Sequence, residues 1–209
     1  MIDTLVEIDK KLMIFLNKTI SNSIFDILMP IITNQNFLAI IGVILIIYLG
    51  YFGEKKGLFI HNPGHTSGAI TYIFGKSAFT GDTMFASGCG RIFEGTYAEM
   101  YDSINYQIGG LAKDTKIYFG HEYTEKNLNF ANSIEPGNLE IQKKLKKVIN
   151  LLSKGFFTTP TSLKEEIKTN PFLRCNSTEI CQNIKSKDPK NDLSEKEVFK
   201  TLRELKDYF

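Results

Sequence analysis

The sequence contains no tryptophan and only three histidines, His61, His65 and His121, so any histidine-based metal site draws on a very short list. Three cysteines, Cys89, Cys175 and Cys181, cannot all pair with one another, and their spacing matches no zinc knuckle. They read as reduced thiols in a cytoplasmic setting. Charge of one sign is lacking too: a formal net charge of +2 is too small to suggest nucleic acid as a partner. No fixed-period repeat or low-complexity tract appears. With 43% hydrophobic and 23% charged residues, the balance is that of a folded globular chain.

Polar residues are scarce at the start. Phe37 to Phe52 carries no charge and is nearly long enough for a bilayer-spanning helix of about 17–25 residues. Tyr48 and Tyr51 sit near its lower end, where amphipathic rings favour the interface. A membrane helix over about 37–53 is expected, the alternative being a buried core helix. A signal peptide does not fit, because the apolar core starts late and no small-residue cleavage site follows. Upstream, Leu5, Ile8, Leu12, Ile14 and Phe15 recur at near-helical spacing, as in an interfacial helix. A second apolar stretch, Ile24 to Ile32, is broken by Asp26 and Pro30. This opening resembles the start of a type-2 phosphatidic acid phosphatase-like membrane protein. None of that family's catalytic motifs follows, so the resemblance implies an anchor at most. Residues 1–57 are thus expected to attach the chain to a membrane. Lys55, Lys56 and the reduced-looking thiols favour a cytoplasmic C-terminal portion.

From Leu58 the pattern changes to short strands separated by glycine-containing loops. Strands are expected over Leu58–Ile60, Ala69–Phe74, Ser77–Thr80 and Lys116–Phe119, with helices over Ala98–Leu111 and Glu125–Ile134. Three polar motifs fall where strands end, placing His65, Asp82 and His121 at positions from which a sheet delivers side chains to a shared site. Imidazole with carboxylate suits Zn, Fe or Mn better than an ion held purely by oxygen. Singly, each has a plainer reading: a histidine after Gly as a turn residue, an Asp before Thr as a cap.

The blocks PGHTSG (63–68), FTGDTMFASGCGR (79–91), IFEGT (92–96), KIYFGHEYT (116–124) and NPFLR (170–174) resemble, in order, successive blocks of glyoxalase II, a hydroxyacylglutathione hydrolase of the metallo-β-lactamase superfamily. The resemblance covers about residues 58–174. It implies an α/β fold, here an incomplete metallo-β-lactamase-like half sandwich over 58–135 followed by a helical region over 136–209. It implies that His65 binds one metal, His121 a second, and that Asp82 bridges both. Arg91, Tyr123 and Arg174 then fall at positions that hold the glutathione part of the substrate; alone, either arginine reads as a solvated surface charge. Phe93 stands where family members often carry Tyr. His61 and the cysteines match no ligand position, and Cys89 reads as a small residue in a tight loop. The implied reaction is hydrolysis of an S-(2-hydroxyacyl)glutathione thioester at a dinuclear zinc, iron or manganese site, where hydroxide becomes available near neutral pH.

The family's Thr-His-x-His-x-Asp-His motif, which supplies two ligands to each metal, is not in this sequence. Each metal would keep one histidine and a shared Asp82, against about three protein ligands in catalytic zinc sites. The expectation is therefore weak or absent turnover unless another polypeptide complements the site, and nothing in the sequence points to one. The alternative is a non-catalytic, membrane-anchored module that binds glutathione conjugates without metal. In the tail, Asn138–Ser153 reads as a basic amphipathic helix ending at Gly155, and Ser194 with Glu197 as a capping box for a helix over Glu195–Tyr208.

Overall fold

A computed structural model describes residues 57–187 and 192–209. Three antiparallel strands come first: β1 (Leu58–His61), β2 (Ile70–Phe74) and β3 (Ser77–Gly81). Gly75, at φ +59°, allows the two-residue connection between β2 and β3. A small hairpin follows, β4 (Met84–Phe85) and β5 (Gly88–Cys89), and then helix α1 (Tyr97–Asp102). Strand β6 (Lys116–Phe119) returns parallel to β3, and β7 (Thr161–Ser162) closes the five-stranded order β1-β2-β3-β6-β7. The remaining helices are α2 (Thr124–Ile134), α3 (Leu139–Leu152), α4 (Leu163–Thr169), α5 (Thr178–Lys187) and α6 (Glu195–Asp207).

Alternation in the strands decides which sheet face is buried. In β2, Thr71 and Ile73 point inward while Ile70, Tyr72 and Phe74 point out. Ile73, Ala78 and Ile117 pack with Met84, Ile108 and Leu163 beneath the helices. The larger core is helical, joining Met100, Ile104 and Phe130 to Phe172, Phe199 and Leu202. It draws residues from both sides of the 135/136 boundary expected from sequence.

A fully buried ion pair ties the layers together. Lys144 of α3 donates to Glu166 of α4 at 2.5 Å, and to Thr169 at 3.1 Å. The other Glu166 oxygen accepts the Ser87 backbone N–H at 2.6 Å and the Asn170 amide at 3.2 Å. Ser87 sits at φ +54°, a conformation that costs a non-glycine residue energy and persists where surrounding contacts over-determine it. Glu166 therefore fixes the tip of the β4–β5 hairpin, and Asn127, which donates to Ala86 O at 3.0 Å, holds its other side.

Several sequence expectations need correction. The helix expected over Ala98–Leu111 is α-helical only to Asp102, continuing as a π-helical turn over Ser103–Ile108. Asn105 there donates to the carbonyls of Tyr101 and Phe172, and Ser103 to that of Pro63, drawing the turn wider. The α6 capping box does not form, because the Ser194 hydroxyl donates to the Asp192 carboxylate at 3.0 Å. The membrane helix expected over about 37–53 lies outside the described residues. Among the described residues, no helix is long and apolar enough to cross a membrane. The expected membrane-anchored location therefore finds no support among the described residues, whose helices are short and carry charged faces, as the lysine- and glutamate-rich α3 and α6 show.

Candidate metal and anion site

Strands β3 and β6 lie side by side and run in the same direction, so the residues that follow them emerge at one edge of the sheet. Gly120 N–H donates to Gly81 O at 3.0 Å, and Thr80 Oγ1 bonds to Met84 O at 2.8 Å and Tyr118 O at 3.2 Å. These bonds set Asp82 beside His121. The fit needs glycine: a Cβ on Gly120 would come within 2.4 Å of Asp82 Oδ1, and one on Gly90 within 2.0 Å of Asp82 O.

The structure brings His65, Asp82 and His121 together. His121 Nε2 lies 3.2 Å from Asp82 Oδ2, and His65 Nε2 lies 3.6 Å from the same oxygen. His65 Nδ1 is 2.8 Å from Arg91 O. A carbonyl can only accept, so that nitrogen carries a proton, which in the neutral ring leaves the lone pair on Nε2. This second hydrogen bond is how metal-binding imidazoles are commonly oriented. The donor set thus suits a divalent transition ion in kind. In number it falls short: among the described residues, no group of three or more His, Cys, Asp or Glu side chains converges as a metal site.

These donors line a cleft of 460 Å³. Tyr123 and Phe93 also line it: Tyr123 stacks on His121 with centroids 5.3 Å apart, and Phe93 lies 5.0 Å from His65. Phe85 meets Tyr123 edge-on at 5.5 Å. Cys89 lies on the floor, where burial pushes its thiol up despite the neighbouring Arg203. A thiol held protonated is a poor nucleophile.

Four cations, Arg91, Lys126, Arg203 and Lys206, also line the cleft. Arg203 donates to Cys89 O at 2.8 Å and to Asp207 at 3.0 Å, and its Nε is buried without an acceptor. Arg91 shares Asp207 at 3.3 Å. Lys206 donates to Lys126 O at 3.3 Å over the Phe130 ring. Burial, then repulsion from Arg203 and Lys126, lowers its ammonium to about 8. Burial, the larger cause, disfavours charge of either sign; the smaller one, repulsion from Arg203 and Lys126, marks a local excess of positive charge.

Of the residues expected to hold substrate, Arg91 and Tyr123 line this cleft and Arg174 does not. NPFLR folds into a short 3₁₀ turn (Pro171–Leu173), after which Arg174 forks onto Glu135 at 2.9 and 2.6 Å. Burial pushes the Glu135 carboxyl up, but hydrogen bonds from Arg174, Ser177 and Asn138 outweigh it and hold it below its usual value. Arg174 therefore neutralises a buried carboxylate at the end of α2 and lies outside the lining of this cleft. Sequence reading missed Lys126, Arg203 and Lys206. On α6 the buried positions are Val198, Phe199, Leu202, Arg203 and Lys206, so both cations continue the apolar stripe. Cations on an inward stripe were the available signal.

Comparison with known proteins agrees with the motif reading. Residues 122–209 match a family model described as "Hydroxyacylglutathione hydrolase C-terminus". The chain is 43% identical over 147 residues to the hydroxyacylglutathione hydrolase of Pseudomonas fluorescens, covering 70% of this chain and 57% of that protein. It is 43% identical over 159 residues to that of Chelativorans sp., covering 75% and 60%. A relative from Arabidopsis thaliana, "Hydroxyacylglutathione hydrolase cytoplasmic", is 43% identical over 144 residues, covering 66% and 56%. The chain spans under two thirds of the length of the curated relatives it matches. Among solved structures, ETHE1 from Myxococcus xanthus is similar at 26% identity and a TM-score of 0.41, covering 66% of this chain and 48% of that one. None of these comparisons supports the phosphatase-like reading of the N-terminal residues.

Proposed function

We propose that this chain carries the C-terminal portion of a hydroxyacylglutathione hydrolase, and that its cleft holds a glutathione thioester whose hydrolysis is the reaction, as in S-lactoylglutathione giving lactate and glutathione. One observation carries the reading: two imidazole Nε2 atoms face a single carboxylate oxygen at 3.2 and 3.6 Å, in a cleft also lined by Arg91, Lys126, Arg203 and Lys206. The similarity to hydroxyacylglutathione hydrolases supports it.

In this reading His65, Asp82 and His121 would hold divalent ions, zinc, iron or manganese, with Asp82 shared. The chemistry such ions supply when bound is a water acidic enough to ionise near neutral pH and a polarised thioester carbonyl. The chain's own side chains do the rest. Arg203, Lys206 and Lys126 anchor the carboxylates of glutathione, with Arg203 Nε as a buried donor awaiting an acceptor. Arg91, once released from Asp207, adds a further donor, and Tyr123 offers a phenol beside His121. Phe85 and Phe93 flank the donors and offer the acyl part of the thioester an apolar contact.

One histidine and a shared carboxylate per ion is fewer than the roughly three protein ligands of catalytic zinc. We therefore infer weak turnover by this chain alone and strong gain from a polypeptide that completes the shell. A second reading, binding of glutathione conjugates without hydrolysis, draws on the contrast between the cationic lining, complete with its buried unpaired donor, and the short donor set.

Elemental analysis combined with S-lactoylglutathione turnover on one sample tests this. The expected result is substoichiometric metal with slow turnover, both removed by Asp82→Ala. Binding of S-lactoylglutathione with no metal and no turnover supports the second reading. Absence of both binding and turnover refutes the two together.

A further inference from the structure

The sheet face turned away from the helices is aromatic. The strand registers align Phe59 with Tyr72, Tyr72 with Phe79 and Phe79 with Tyr118, making one row across four strands. Phe79 stacks on Tyr118 at 4.9 Å and 16°, and Phe74 meets Phe79 edge-on at 6.1 Å, so the row is a continuous surface. It is open to solvent: Phe59 is 67% exposed, Phe74 54%, Tyr72 53% and Phe79 42%. Charge is nearly absent from it. Lys116 enters only at the margin, in register with Ser77, and the nearby Lys76 is spent on Asp114.

Aromatic side chains bury about 150–250 Å² each, so these exposures, with Ile70 alongside, leave roughly 500 Å² of apolar face in water. That is at the upper end of the largest patches on monomers, about 300–600 Å². Two such faces brought together would bury about 1,000 Å², the lower bound for a specific protein interface. A surface without charge offers nothing for a charged partner to select. What fits it is another twisted apolar sheet, stacked at about 10 Å with strands within roughly 30° of alignment. A second copy of the chain presents that surface, related by a two-fold axis that sets row against row.

We propose that this aromatic sheet face is the interface of a reversible homodimer. The area predicts a modest affinity, so the dimer dissociates on dilution. The test uses the full chain, with mass followed by sedimentation equilibrium and light scattering over a concentration series, and detergent mass subtracted where detergent is needed. A monomer–dimer equilibrium is expected. The Tyr72→Thr/Phe79→Thr variant, which keeps strand-favouring side chains, is expected to weaken it by roughly thirtyfold or more. Phe59→Thr on the edge strand, scored alongside by far-UV circular dichroism, provides the same readout if the double variant does not fold. A monomer at every concentration overturns the proposal and leaves the face to a different polypeptide. Association unchanged in folded face variants also overturns it, and puts the contact elsewhere, for instance on the apolar stretch 37–52.

Discussion

Replacing Lys144 by methionine isolates the most deeply buried charge pair among the described residues. Lys144 and Glu166 side chains are 5% and 0% exposed, so neither has water to fall back on. Methionine keeps most of the aliphatic packing of Lys144 and removes the ammonium. Glu166 then retains hydrogen bonds from Ser87, Asn170 and Thr161 but loses the cation at 2.5 Å. Breaking a buried pair by removing one partner typically costs about 3–5 kcal/mol, because an uncompensated charge remains inside. At about 2–4 °C per kcal/mol for a chain of this size, the melting midpoint should fall on the order of 10 °C. Urea unfolding followed by far-UV circular dichroism measures the loss, with an unchanged m-value showing that only stability has moved. The double variant Lys144→Met/Glu166→Gln should be more stable than the single one, with a coupling of about 0.5–3 kcal/mol. A single-variant loss below about 1 kcal/mol, or a double variant no better than the single, would refute the argument that the pair is a desolvated unit.

Three further outcomes follow from the cleft. The ammonium of Lys206 is held near 8 in the folded chain, below its ordinary 10.5. Affinity for glutathione conjugates measured by calorimetry should therefore decline as pH rises through about 8, and an affinity flat to pH 10 would remove Lys206 from the binding side. The same shift has a stability consequence of defined sign. A lowered lysine pKa means the folded state resists the charge, so the penalty is full below about 8 and fades as pH rises toward 10.5; Lys206→Met should stabilise the chain at pH 7 while weakening binding. Arg203→Leu should weaken glutathione-conjugate binding by about tenfold, whereas Arg174→Leu should leave binding unchanged and lower stability by stranding Glu135. Equal loss of binding in both arginine variants would show that the cleft has been drawn in the wrong place.

That His65, Asp82 and His121 come together was legible in sequence because each follows a strand and sits beside a glycine, features that local chemistry imposes. Four of the five strands of the main sheet were legible to within a residue at their ends, whereas the two-residue β7 and the β4–β5 hairpin are too short to leave a pattern. Arg174 was not, since its fate depends on Glu135, 39 residues away in sequence and reached only after α2 and the 3₁₀ turn are placed. Nor was the break in the helix after Asp102, which arises from carbonyls of Pro63 and Phe172 that converge in three dimensions. Arg203 and Lys206 were half legible: their stripe is visible at helical period, but a lysine-rich segment reads by composition as solvated. What composition hides here, periodicity reveals.

The parallel pairing of β3 with β6 has a kinetic corollary. Ser77 and Lys116 are neighbours in the ladder although 39 residues separate them, so a long loop must close before that pairing is rewarded. Asp82 and His121 meet only because those two strands finish at the same edge. A nascent sheet that mispairs by two residues keeps every side chain on its proper face, yet carries His121 about 6–7 Å along the strand. Such a species would look native by circular dichroism while its imidazole stands out of reach of the carboxylate. Refolding followed by cobalt absorption should thus lag behind refolding followed by secondary structure, the interval between them timing the search for register.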